Sequence, residues 1–178
     1  MILIVSTCRY RLSEREFVEP IIEIVKENGY KYHVKRSHEK LNLENYSGII
    51  ICGTALMDFD YLKHLKNFKE LKNYSGKVLG ICAGYQLLAK IYDNQLEKIE
   101  KIGVYSVKVV QENPLASGEF RAYFLHVLAL SRTRNLEILA KQGNEIAMFK
   151  VPGKNFYATS FHPEVFNKTV IENFLNIV

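Results

Sequence analysis

Four apolar, β-rich runs, MILIVS, YKYHVKR, GIIICG and KVLGIC, punctuate the first half of the chain, each bounded by turn residues and with helical patterns between them. Near-continuous hydrophobic strands of this kind are buried on both faces, which a parallel sheet achieves only when helices cover it above and below. Strands alternating with helices therefore predict an α/β layered fold. The opening MILIVS carries no basic leader and no cleavage-site pattern, so it reads as the first buried strand, and the expectation is a cytoplasmic protein.

Three helices are predicted in this half. The first lies within SEREFVEPIIEIVKENG, where Ser13 and Glu16 have the spacing of a capping box and Gly29 stands where a C-cap would. Pro20 is incompatible with a helix interior, so the helix either kinks there or begins there. The second runs from about Asp60 to Tyr74, with Leu62, Leu65, Phe68 and Leu71 interleaved with Lys63, Lys66, Lys69 and Lys72. The third follows Cys82, from Ala83 to Tyr92.

The second half reads differently. VYSVKVV, FRAYFLHVLAL, EILAKQ, EIAMFKV and NFYATSF are short strands joined by turns, and a helix from about Lys168 to Ile177 ends the pattern. No repeat, linker or low-complexity segment divides the 178 residues, so one domain is expected over 1–178. A hydrophobic content of 48% excludes a disordered chain, and no apolar run approaches the ~18 residues of a membrane span. The net charge of +5 comes mostly from lysines spread along helical faces, without a basic–aromatic cluster, so neither nucleic acid nor membrane is expected as a partner. Cys8, Cys52 and Cys82 show neither disulfide-framework nor zinc-ligand spacing; no metal or other cofactor is implied.

Cys82 is the exception among these cysteines because it stands between glycines, in G-I-C-A-G from Gly80 to Gly84, where a strand gives way to a helix. This is the layout of a nucleophile elbow. The nucleophile takes a strained backbone angle at the turn, and its neighbours must be small because strand and helix crowd together. The helix N-terminus then favours the thiolate, and the Ala83 amide is free to bind an oxyanion. Gln86, one turn further on, overlooks the same pocket. A base is offered by YATSFHPEVF. His162 is held by Pro163, and in an extended segment Glu164, two residues on, would lie beside the imidazole and fix its tautomer. His126, in an apolar strand, reads as a core or pocket-wall histidine; His33, His38 and His64 lie among lysines and read as surface residues.

With both pieces in place the chain resembles the triad-type glutamine amidotransferases over nearly its whole length. LGICAGYQLLA resembles that family's G-x-C-x-G-x-Q signature, and SFHPEVF its F-H-P-E box. The resemblance implies a flavodoxin-like three-layer α/β sandwich with a mainly parallel central sheet and a mixed or antiparallel β region in the second half. It also implies catalysis by Cys82, His162 and Glu164 on L-glutamine, through a γ-glutamyl thioester. Backbone amides of Ala83 and of the Gly53–Thr54 loop would bind the oxyanion, and Gln86 with the backbone around Val127 and Leu128 would hold substrate.

IICGTA departs from the family's Gly-Gly-Pro, with Thr54 and Ala55 in place of the second Gly and the Pro. Threonine resists the positive φ that a peptide flip would require, so the oxyanion hole either depends on a partner or is set differently. No ATP-binding signature is present, so the ammonia-accepting synthetase is expected on a separate chain. FHPEV followed by IENFL resembles the two-chain GMP synthetases, whereas HVLAL resembles subunits that serve chorismate-using synthases; the former is favoured. Two other classes stay open: an independent γ-glutamyl hydrolase, and a catalytically weak regulatory or scaffold subunit.

Overall fold

A computed structural model describes all residues, 1–178. Its nine strands form one sheet in which parallel and antiparallel halves are continuous. β1 (Ile2–Ser6), β2 (Tyr32–Arg36), β3 (Gly48–Ile51), β4 (Lys77–Ile81) and β9 (Phe156–Thr159) pair in parallel in the order β2-β1-β3-β4-β9. From β9 onward the sheet runs antiparallel through β8 (Glu145–Lys150), β7 (Glu137–Gln142), β5 (Glu97–Val109) and β6 (Glu119–Ala129). The α/β layering with a parallel centre is the one expected.

Alternation along the strands distributes their side chains to two helical layers. Ile2, Ile4, Ile50 and Leu79 pack on one face with Ile21, Ile24 and Val25 of α2 (Glu19–Glu27) and Val170, Ile171 and Phe174 of α5 (Lys168–Asn176). Leu3, Val5, Ile49, Ile51 and Val78 pack on the other with Tyr85 and Leu88 of α3 (Ala83–Ile91) and with Phe68 and Leu71. Each fully buried Ile or Leu contributes roughly 1.5–3 kcal/mol of burial, so both faces are held firmly.

Four local expectations are corrected. Ser13 makes no capping bond from its side chain; a short helix, α1 (Glu14–Phe17), precedes α2, which begins with Pro20 in its first turn. Ser13 sits in helical rather than extended backbone, at the end of a 3₁₀ turn, so its hydroxyl lacks the geometry to cap. The segment Asp60–Asn73 is a 14-residue 3₁₀ helix rather than an α-helix. Its apolar residues recur every three positions, the period at which side chains of a 3₁₀ helix eclipse on one face, while the four interleaved lysines are exposed. β5 starts at Glu97, seven residues before VYSVKVV, as the edge of its long antiparallel ladder with β6. Finally, only His162 of the F-H-P-E segment is extended; Pro163–Phe166 forms the short helix α4.

Candidate active site

The chain leaves β1, β3, β4 and β9 at the same edge of the sheet, the carboxyl edge where ligands bind in open α/β folds. Thr7, Gly53, Cys82 and His162 lie just beyond these four strand ends.

Cys82 has φ 48° and ψ −94°, a left-handed conformation that a residue with a β-carbon adopts only under constraint, at a cost of about 1–3 kcal/mol. The constraint comes from its glycine neighbours. A β-carbon on Gly84 would stand 2.3 Å from the Ile51 carbonyl oxygen, and one on Gly80 would stand 2.6 Å from the backbone of Gly84. Strand and helix therefore cross at a distance that only glycine permits, and Cys82 is forced out at the tip as the N-cap of α3. The thiol is only 4% exposed and points to the Leu125 carbonyl, 3.6 Å away.

His162 is fully buried. Its backbone amide donates to the Tyr123 carbonyl (2.8 Å), and the Phe17 ring packs tilted against it at 5.4 Å. Nδ1–H donates to Glu164 Oε1 at 2.7 Å, which leaves Nε2 as the unprotonated nitrogen of the neutral ring. Nε2 has no hydrogen-bond partner of good geometry, and Cys82 is its neighbour. Burial alone would push this imidazole down, but the Glu164 carboxylate and the Cys82 sulfur outweigh it and hold the ring well above the usual histidine range. The His162–Glu164 pairing expected from an extended segment is thus present, but the turn of α4 produces it.

The structure brings the other named residues to the same place, with two differences. Gly53 does not occupy the left-handed region; it is glycine because a β-carbon would stand 2.5 Å from His162 Cε1. Thr54 turns its hydroxyl to Asp58 Oδ2 (2.8 Å) and lines the Cys82 cavity together with Ala83 and Gln86. The second difference concerns Gln86, whose carboxamide is already engaged: Tyr61 donates to Oε1, and Nε2 donates to the Leu128 carbonyl at 2.9 Å. Gln86 therefore ties α3 to β6, and Val127 contributes to the cavity wall. His126 is both core and wall. It lines the cavity while its Nε2 lies 3.0 Å from the buried Glu145 carboxylate, which also accepts from Ser160 (2.6 Å) and pairs with Lys101 (2.7 Å). His33 and His38 are exposed and His64 is half-buried.

Tyr61, Leu125 and Asp58 were not legible as site residues. Each lies far from Cys82 along the chain, and no local motif marks them. Cys8 and Cys52 are buried and free, and burial pushes both thiols up, Cys52 strongly, which keeps them protonated. The cavity beside Cys82 measures about 10 Å³, roughly the room of one water molecule, so a substrate must displace side chains on entry. No helix is long and apolar enough to cross a membrane.

An α/β sheet with a strained cysteine at its carboxyl edge and a buried His–carboxylate pair beside it is an arrangement suited to cysteine chemistry of the hydrolase and transferase kind. Residues 13–176 match the family described as glutamine amidotransferase class-I, and the chain belongs to that family. It is 29% identical over 153 residues to the glutamine-hydrolyzing GMP synthase subunit of Methanobrevibacter smithii, covering 79% of this chain and 78% of that protein. It is 26% identical to "Gamma-glutamyl peptidase 4" of Arabidopsis thaliana, covering 79% of this chain and 62% of the peptidase. Among solved structures, a putative GMP synthase subunit from Thermoplasma acidophilum superposes with a TM-score of 0.84 at 20% identity, covering 99% of this chain and 94% of that one. A glutamine amidotransferase from Thermotoga maritima superposes at 0.71 and 20% identity, covering 99% and 81%.

Proposed function

We propose that this chain is a glutaminase subunit in which Cys82, His162 and Glu164 hydrolyse L-glutamine and a synthetase on a separate chain receives the ammonia. The observation that carries this reading is the His162–Glu164 pair set beside a cysteine forced into left-handed backbone. The Cys82 thiol proton passes to Nε2 of His162, which the Glu164 carboxylate makes a stronger base, and the sulfur then attacks the γ-carboxamide carbon. Negative charge then develops on the amide oxygen, and the backbone amides of Ala83 and Thr54 receive it. The intermediate collapses to a thioester as His162 hands its proton to the departing ammonia. Water, deprotonated by the same nitrogen, cleaves the thioester to glutamate and restores the thiol. Glu164 holds the ring in the required tautomer throughout. Gln86, Val127 and the Leu128 carbonyl shape the pocket for the substrate's chain.

The acceptor is proposed to be a GMP synthetase, in keeping with the named relatives, and three free cysteines fit a cytoplasmic setting. The test is glutamate and ammonia release by the purified chain, with and without the synthetase chain of an archaeal GMP synthetase, followed by GMP formation from glutamine in the pair. Independent γ-glutamyl hydrolysis is the second reading, supported by the peptidase relatives. It requires full activity on γ-glutamyl peptides without a partner, and comparing turnover of such peptides with that of glutamine on the isolated chain separates the two readings.

A further inference from the structure

The segment Thr7-Cys8-Arg9 after β1 belongs to no part of the chemistry above, yet it grips the loop that follows β3. Thr7 Oγ1 lies 3.0 Å from both the Cys52 and Gly53 carbonyl oxygens, and the Cys8 thiol lies 3.7 Å from the Gly53 carbonyl. The Arg9 amide donates to Asp58 Oδ2 (2.7 Å), the carboxylate oxygen that also receives the Thr54 hydroxyl, and the Asp60 amide donates to Oδ1. The grip is itself anchored, because Arg36 Nη2 donates to the carbonyls of Cys8 (2.8 Å) and Arg9 (3.0 Å).

The peptide joining Gly53 to Thr54 is planar and trans, so its C=O and N–H point in opposite directions. With the carbonyl drawn to Thr7 and Cys8, the Thr54 N–H is turned the other way, and Thr54 lines a cavity with Cys82 and Ala83. Thr54 N–H has no backbone or side-chain acceptor. We infer that Thr7 is a positioning residue that locks the Gly53–Thr54 peptide with its N–H aimed at the oxyanion, so that the donor is formed before substrate arrives.

This inference rests on the glutaminase reading and accounts for the departure from Gly-Gly-Pro. A loop that never flips has no use for a second glycine, and threonine supplies the hydroxyl that Asp58 holds. Neither Gly53 nor Thr54 has a positive φ. The preset amide also makes oxyanion binding a property of this chain and not of its partner.

The test compares the full chain with Thr7→Val, which keeps the side-chain volume but removes the donor, and with Thr7→Ser, which restores it. Glutamine turnover and the rate of Cys82 alkylation by iodoacetamide are measured on each. Losing an oxyanion donor outright lowers kcat about 10²–10³-fold, and freeing one to rotate is expected to lower it about 10–100-fold. KM should stay within about twofold, alkylation (which forms no oxyanion) should be unchanged, and Thr7→Ser should recover most of the rate. Thr54→Val, which frees the loop from Asp58 instead, should lower kcat in the same sense and serves if Thr7→Val does not fold. Undiminished kcat in a folded Thr7→Val or Thr54→Val chain overturns the inference alone. A wild-type chain that turns over no glutamine, alone or with a synthetase, overturns both it and the function proposed above.

Discussion

Gly53 packs against His162 so closely that a β-carbon on the glycine would stand 2.5 Å from Cε1 and 3.1 Å from Nδ1 of the ring, and 3.3 Å from the β-carbon of Cys82. The histidine cannot retreat, since Phe17 and Tyr123 hold its other sides. Gly53→Ala must therefore turn the ring out of line with both Glu164 and the sulfur. Glutamine turnover should fall at least about a hundredfold, within the 10²–10⁴ range of general acid–base catalysis. Forcing a methyl group into this packed, buried site costs about 1–3 kcal/mol, so the melting temperature should also fall, by roughly 2–12 °C. Near-normal turnover in the Gly53→Ala variant would show that His162 does not serve Cys82.

Glu164→Gln tests the same pair through pH. The carboxylate raises the folded-state pKa of His162 above its unfolded value. Such a group stabilises the fold fully below the unfolded pKa, about 6.5, and the contribution disappears as pH rises through the higher folded value. The melting-temperature gap between wild type and Glu164→Gln should thus be widest below about pH 6.5 and shrink as pH rises through the folded value. A gap that widens with rising pH would contradict the electrostatic coupling.

The parts of this architecture that could be read from the chain were those written in local periodicity or in short-range geometry. The parallel strands appear as apolar runs because both faces are covered, and the elbow appears as G-I-C-A-G because Gly80 and Gly84 have no room for a side chain. Other features required contacts that sequence does not display. The strict spacing of Leu62, Leu65, Phe68 and Leu71 carries a period of about three, but three-residue spacing also fits a stripe on an α-helix, and only packing on α3 and the sheet selects the tighter winding. Glu97–Gly103 became strand because β6 offers it a partner on both sides of an irregularity between Lys98 and Lys101, not because its own alternating charges demanded it. The contact of Thr7 with Gly53 crosses 46 positions, so the sequence leaves open whether the loop that departs from Gly-Gly-Pro depends on a partner or is set differently.

Glu145 anchors a buried cluster behind the site. Burial opposes its charge, but His126, Lys101 and Ser160 together hold the carboxyl below its usual range. Replacement by alanine removes the carboxylate that neutralises Lys101 and holds His126 Nε2, leaving the lysine only its Gln142 acceptor, at a cost of about 3–5 kcal/mol. At about 2–4 °C per kcal/mol for a chain of this size, the melting temperature should drop by roughly 10 °C. The lowered pKa adds a sign: the contribution is present above about pH 4.5 and lost as pH falls through the folded value, so the deficit of Glu145→Ala should narrow in acid. Thermal melts at about pH 7 and at successively lower pH below about 4.5 check both statements: the deficit should shrink, not grow, as acid is added.

Tyr61 separates positioning of the pocket from the chemistry. Its hydroxyl donates to Gln86, whose amide in turn donates to the Leu128 carbonyl, so one phenol fixes the wall of the cavity on both α3 and β6. Burial pushes the phenol far above its normal range, which keeps it a donor at every accessible pH. Tyr61→Phe leaves the Gln86 oxygen buried and unpaired at a cost of about 1–3 kcal/mol, a penalty the side chain escapes by rotating toward the cavity. A swung carboxamide obstructs the substrate without touching the Cys82–His162 pair. The expected outcome is a KM raised about tenfold with kcat nearly unchanged. Loss of kcat at constant KM would instead assign Tyr61 to the reacting atoms.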